Sequence, residues 1–302
     1  MTCPGSVHLE RLFPNESSSY AEEGTLAHAW AAFMLDPKYQ ERPNEELPDE
    51  HRSYVNDYAM FVNRETEDGF RQIEFRVEVS DITGEPGAVG TVDCAALVGN
   101  TLKIIDFKFG QGVLVQAQNN PQLLIYALAS RRFFSLFDDI KTIEMTIFQP
   151  RKDHIDTWTI TAEEAEELAK QVREKADKAI ETLKADPLPL EVLNPSEDGC
   201  RFCRAKAVCP AKRAMAEKAV KDAVAKPSDF ENLEDEKPVP MLDAEIMNAK
   251  TLAENLKLAD LLEPWITAVR EDAHRRLMEG EELPGYKLVL GRPGNRQWSD
   301  TK

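Results

Sequence analysis

The stretch Gly90–Lys108, GTVDCAALVGNTLKIIDFK, decides the fold. It reads as two β-strands, 89–98 and 101–108, with Gly99-Asn100 as the turn between them. A hairpin centred on that turn sets Asp93 across from Asp106 and Thr91 across from Lys108. Residues two apart on a strand share a face, so Asp93, Asp106 and Lys108 are expected together. Cys94, Ile105, Phe107 and Phe109 then form a core face. Directly opposed like charges repel at a Cβ separation of about 5 Å. Two acids and an amine in that position suit oxygen ligation of Mg²⁺ or Mn²⁺, with the lysine acting on a water or a charged intermediate. A solvated Asp–Lys pair accounts for the same spacing equally well.

Working outward, the 302-residue chain is long enough for one large domain or two small ones. Its net charge of −17 argues against a nonspecific nucleic-acid coat, though not against a local basic channel. No run of eighteen apolar residues exists, so no membrane span is expected. The start, MTCPGSVHLERLF, lacks a signal-peptide pattern, and a cytoplasmic protein with reduced thiols is expected. Of five cysteines, Cys94 is a strand-core residue. Cys3 and the C-x₂-C-x₅-C run of Cys200, Cys203 and Cys209 remain, and four thiolates can hold zinc or an iron–sulfur cluster.

Periodicity places helices over about 19–35, with Leu26, Trp30 and Phe33 inward and His28 at the stripe's edge, and over about 49–66. A strand covers 73–80 and precedes the hairpin. Pro121 opens a helix to about 136; strands follow at 141–149 and 155–160. Thr161-x-x-Glu164 is a capping box for a helix to about 184. A linker at 186–199, the cysteine run, a helix to about 225, an acidic linker at 226–240, a helix at 243–279 and a small hairpin at 286–298 complete the chain. Residues 1–19 read as loop. Glu22 and Glu23 read as a solvated helix start.

The order His28, Asp93, Asp106-x-Lys108, Gln122-x₃-Tyr126, with Cys3 before it and the cysteine run after it, resembles the RecB-type branch of the PD-(D/E)XK nucleases. Within it, the iron–sulfur members are most similar: CRISPR-associated exonucleases, the AddB-like nuclease domain and a phage-encoded family of unknown function. EGTLAH, GTVDCA, IIDFKFGQGV and NNPQLLIYALA carry that likeness. The resemblance implies metal binding by His28, Asp93, Asp106 and the Phe107 backbone carbonyl, with Mg²⁺ or Mn²⁺ as cofactor. It implies catalytic roles for Asp93, Asp106, Lys108, Gln122 and Tyr126, with Glu78 near the site. It implies a 4Fe–4S cluster on Cys3, Cys200, Cys203 and Cys209 that staples the N-terminus to the C-terminal end of the fold.

Residues 200–213 hold no acid, and Arg201, Arg204, Lys206, Lys212 and Arg213 there are candidate DNA-backbone contacts, as are Arg131, Arg132, Arg151 and Lys152. All can equally be ordinary surface charges. The expectation is an α/β fold: a central mixed sheet flanked by helices (a restriction-endonuclease-like core), an iron–sulfur-stapled helical region and a C-terminal helical appendage. The expected boundaries are a nuclease domain at 1–225, a linker at 226–240 and a helix with a small hairpin at 241–302. The expected activity is metal-dependent cleavage of DNA, single-stranded or at duplex ends, in phage recombination or DNA processing. The partners are DNA and a homo-oligomer or phage recombination protein. The other reading is a silent DNA-end-binding or assembly module.

Overall fold

The computed structural model describes residues 3–14, 19–225 and 249–288. The central hairpin forms in the expected register: β2 (Val89–Val98) and β3 (Thr101–Phe107) run antiparallel, with Cys94 facing Ile105 and Val98 facing Thr101. Gly99 turns the corner at φ +55°, a conformation that costs glycine no steric strain. β1 (Phe70–Glu78) adds antiparallel to β2. β4 (Thr142–Gln149) lies parallel to β3, and β5 (His154–Thr161) antiparallel to β4. The result is one mixed five-stranded sheet in the order β1-β2-β3-β4-β5.

Two clusters bury its faces. On one side α5 (Pro121–Phe134) and α6 (Ala162–Leu183) cover Ala95, Leu97, Leu102, Ile104, Met145 and Ile147. A fully buried side chain such as Ile104 contributes about 1.5–3 kcal/mol. Local chemistry sets both helix starts. Asn120 accepts from the N–H groups of Gln122 and Leu123, ahead of Pro121 at the first helical position. Thr161 and Glu164 form the reciprocal capping box, at 3.1 and 2.7 Å.

On the other side α2 (Ser19–Leu35) and α3 (Asp49–Glu65) cover Ile73, Cys94, Ile105, Phe107 and Phe148. Here the sequence expectation needs adjusting. Ala27, Ala31 and Ala32, with Leu35 at the helix end, are the buried face of α2, while Leu26 and Trp30 sit half-buried at its rim. Small residues let the helix approach the sheet closely, and Tyr58 of α3 stacks on Phe107 at 4.4 Å.

Two further features escape periodicity: the short α1 (Ser6–Glu10) within the expected loop and α4 (Ser80–Thr83) between β1 and β2. α7 (Glu197–Arg201), α8 (Pro210–Ala225) and α9 (Ala249–Met278) follow. The acidic linker, the first residues expected in the last helix and most of the terminal hairpin lie outside the described residues. The chain divides into two compact units: Pro14–Pro187 with Met1, and Thr2–Phe13 with Leu188–Lys302. The first division falls within the segment expected as one domain.

A mixed sheet flanked by helices is present, but the iron–sulfur staple is not. All five cysteines are free thiols. Among the described residues, the one group of three or more metal-capable side chains with ligand atoms within 4.8 Å of one another contains no cysteine. Burial pushes the Cys203 thiol up to about 11. The N-terminal segment is instead fastened by hydrogen bonds inside the second unit. The Gly5 N–H donates to the Val192 carbonyl (2.9 Å), the Asn194 N–H to Cys3 Sγ (3.3 Å), and the Arg204 N–H to the Glu10 carboxylate (2.9 Å). Spacing along the chain is compatible with a cluster; the fold satisfies the same segment with polar contacts.

Candidate metal centre

The site is built where the β1–β2 ladder loses its regular pleat. Ile73 pairs with Cys94 and Phe75 with Val92, so Glu74 stands opposite Asp93. Ile73 and Cys94 belong to the cluster under α2 and α3, whereas Phe75 and Val92 belong to the one under α5. The alternation slips by one residue in both strands. Glu74 absorbs the slip at φ +50°, a left-handed conformation rare for a residue with a side chain. Such a backbone persists only where its surroundings hold it, and it recurs at ligand sites.

The slip turns Glu74 and Asp93 towards His28 of α2. One ligand atom from each of His28, Glu74 and Asp93 lies within 4.8 Å of the others. His28 Nδ1 is 3.0 Å from Asp93 Oδ1, and Asp93 Oδ2 accepts the Phe107 N–H at 2.7 Å. Phe107 therefore enters the site through its N–H. Its ring also lies 5.1 Å from the His28 ring, centroid to centroid.

Asp106 lies beside this group but outside it. It is 3% exposed, and its Oδ2 is 2.8 Å from Lys108 Nζ as an ion pair, without hydrogen-bond geometry. The Lys108 ammonium donates to Gln122 Oε1 (2.9 Å), and Gln122 Nε2 donates to the Tyr126 hydroxyl (3.3 Å). A polar chain thus runs from β3 to α5 through all four expected catalytic side chains beyond Asp93. Gly90 makes room for it: a Cβ there meets Tyr126 Cε1 at 2.6 Å.

The electrostatics are unbalanced. Burial, then the charge of Asp93, raises the Asp106 carboxyl above its ordinary range, against the pull of Lys108. Burial and Asp93 raise Glu74 likewise, and His28 opposes this only in part. Burial disfavours charge on His28, but the hydrogen bond it donates to Asp93 and the charges of Asp93, Asp106 and Glu74 outweigh it and raise its pKa. Three acids crowd one imidazole and one ammonium.

Of the expected ligands, His28 and Asp93 converge with Glu74 into one donor set of an imidazole nitrogen and two carboxylate oxygens, and Asp106 stands beside it. That set fits one divalent cation. Glu74 escaped sequence reasoning, which named Glu78 on the same strand. The signal was positional: Glu74 is the cross-strand neighbour of Asp93. It becomes readable only once the β1–β2 register is known.

The remaining expected residues stand elsewhere. Arg201 pairs with Glu197 and Asp198, the Arg204 guanidinium donates to the Phe13 carbonyl, and Lys206 donates to the Arg201 carbonyl. Arg151 is spent within the first unit: it bonds Glu23 at 2.8 Å, lies over Phe109 and donates to the Gln111 amide oxygen. Glu23 also contacts the buried His51 at 3.1 Å, so it is a cross-helix tie rather than a solvated helix start.

All 302 residues match a family model described as "Protein of unknown function (DUF2800)". A solved structure described as "Crystal structure of SSO0001" is similar at 13% identity and a TM-score of 0.27, over 69% of this chain and 95% of that one. The resemblance to RecB-type iron–sulfur nucleases is overturned: the matched family has no described chemistry, and the cysteines build no cluster.

Proposed function

The chain belongs to the DUF2800 family, which comes with no assigned activity, and from its own site we propose that it hydrolyses phosphodiester bonds of DNA at a single divalent cation. The observation that carries this is the convergence of His28, Glu74 and Asp93 beside the Asp106–Lys108 pair. Such a cation supplies Lewis-acid polarisation of a phosphoryl oxygen and an acidified water. The Phe107 N–H fixes one oxygen of Asp93 and so orients the other. Lys108 has three donors; one goes to Gln122 and its charge is paired with Asp106, so donor capacity remains for a phosphate oxygen. Without a cation this acidic corner repels phosphate, which reconciles a net charge of −17 with a nucleic-acid substrate.

The absence of any membrane-crossing helix among the described residues, together with five free thiols, supports a cytoplasmic place of action. The test is degradation of end-labelled single- and double-stranded oligonucleotides with added divalent cation. Asp93→Asn is expected to lose at least about 100-fold in rate while keeping its circular dichroism and melting temperature. Undiminished cleavage by Asp93→Asn overturns the reading. So does wild-type protein that binds ends stoichiometrically in several cations and never yields product.

A further inference from the structure

A cleft of about 670 Å³ opens beside the metal centre and is lined by two of its three ligands, His28 and Glu74. Tyr39 stands in the same cleft with 71% of its surface exposed. Its position is fixed. The turn after α2 closes with hydrogen bonds from the Tyr39 and Gln40 N–H groups to the Asp36 carbonyl. The Gln40 side chain then donates to the Ile73 carbonyl at 3.2 Å, one residue before Glu74. The turn that carries Tyr39 is thus clamped to the strand that carries a cation ligand. Lys38 Nζ lies over the ring, 4.8 Å from its centroid, and most of the Tyr39 surface is still open to solvent. The α2 wall is bare at Gly24, where an added Cβ meets nothing within 4 Å.

We propose that Tyr39 is a stacking platform for an unpaired nucleobase of the DNA strand whose phosphate lies at His28, Glu74 and Asp93. This rests on the reading of the site as a phosphodiester-hydrolysing centre and specifies how the strand is held there. Glu41 and Glu74 make the cleft hostile to phosphate away from the cation, so the base is the part of the nucleotide that suits it. An aromatic face accepts any base, so the platform is tolerant of sequence.

The test compares wild type, Tyr39→Ala and Tyr39→Phe on single-stranded oligonucleotides. Equilibrium binding is read by fluorescence anisotropy in Ca²⁺, and turnover in Mn²⁺. Tyr39→Ala is expected to weaken binding about 5- to 100-fold, the span of base–aromatic stacking. Its KM rises while kcat changes little, and Tyr39→Phe restores both. On a strand of abasic positions wild type and Tyr39→Ala bind alike. Equal binding of the intact strand by wild type and Tyr39→Ala overturns the platform, as does a loss that persists unchanged on the abasic strand. Wild type that cleaves while Tyr39→Ala is unimpaired removes the platform and leaves hydrolysis standing. Wild type that stacks through Tyr39 and never cuts removes hydrolysis alone. Protein that neither binds nor cuts removes both.

Discussion

Two lysines stand among carboxylates along β3, Lys103 within the strand and Lys108 just past its end, and the two are resolved in opposite ways. Lys103 sits between Glu65 and Glu144, at 2.8 and 3.1 Å. The Lys103 hydrogen bond holds Glu65 below the ordinary carboxylate range, and the two glutamates raise Lys103 despite its burial. Every charge there has a partner. Lys108 meets Asp106 and Gln122, but Glu74, Asp93 and Asp106 exceed what Lys108 and His28 can balance, so burial and mutual repulsion raise Glu74 and Asp106. The same residue types thus build a closed tie at one end and an open socket at the other. A fold that tolerates such repulsion has a use for the charge it concentrates.

The largest expected effects separate these roles. Glu74→Gln removes a ligand together with a repulsive charge. Cation affinity is expected to fall about 10- to 100-fold, while the cation-free protein melts no lower than wild type. A lower melting temperature without metal would instead make Glu74 a structural residue. At the other end, Lys103→Met strands two half-buried carboxylates and is expected to cost about 1–2 kcal/mol in chemical denaturation. Lys108→Met is expected to abolish turnover with a smaller loss of stability. Equal destabilisation by both variants erases the distinction.

How far the sequence discloses this contrast depends on how local the signal is. The hairpin register follows from Gly99-Asn100 alone, and with it the neighbourhood of Asp93 and Asp106. The capping box at Thr161 is equally local. Glu74 depends on a register set across an intervening helix and turn, and on a slipped pleat that strict alternation cannot express. The aromatic residues of α2 mislead because helix–sheet distance, not hydrophobicity alone, selects alanine for the buried face. The cysteine spacing misleads for a related reason: separation along the chain limits where sulfurs can meet but does not bring them together.

Intermediate effects probe the polar chain on α5. Gly90→Ala forces the Tyr126 ring to move and, through Gln122, loosens the hold on Lys108. Turnover is expected to fall about 10-fold, with cation affinity unchanged. A parallel loss of cation affinity would place the damage in the strand itself. The smallest effect is on pH dependence. The contribution of Glu65 is full above its unfolded value, near 4.5, and is lost as pH falls through its lowered folded value. That of Lys103 is full below 10.5 and is lost as pH rises through its raised folded value. Thermal melts of Lys103→Met are expected to be flatter than wild type at both extremes.

The most direct measurement is calorimetric titration of Mn²⁺, as a probe cation, into the wild-type protein and into Glu74→Gln and Lys103→Met. A socket at His28, Glu74 and Asp93 predicts one ion per chain, an affinity weakened at least about 10-fold in Glu74→Gln, and no change in Lys103→Met. Absence of binding to the wild type, or equal binding by wild type and Glu74→Gln, contradicts it.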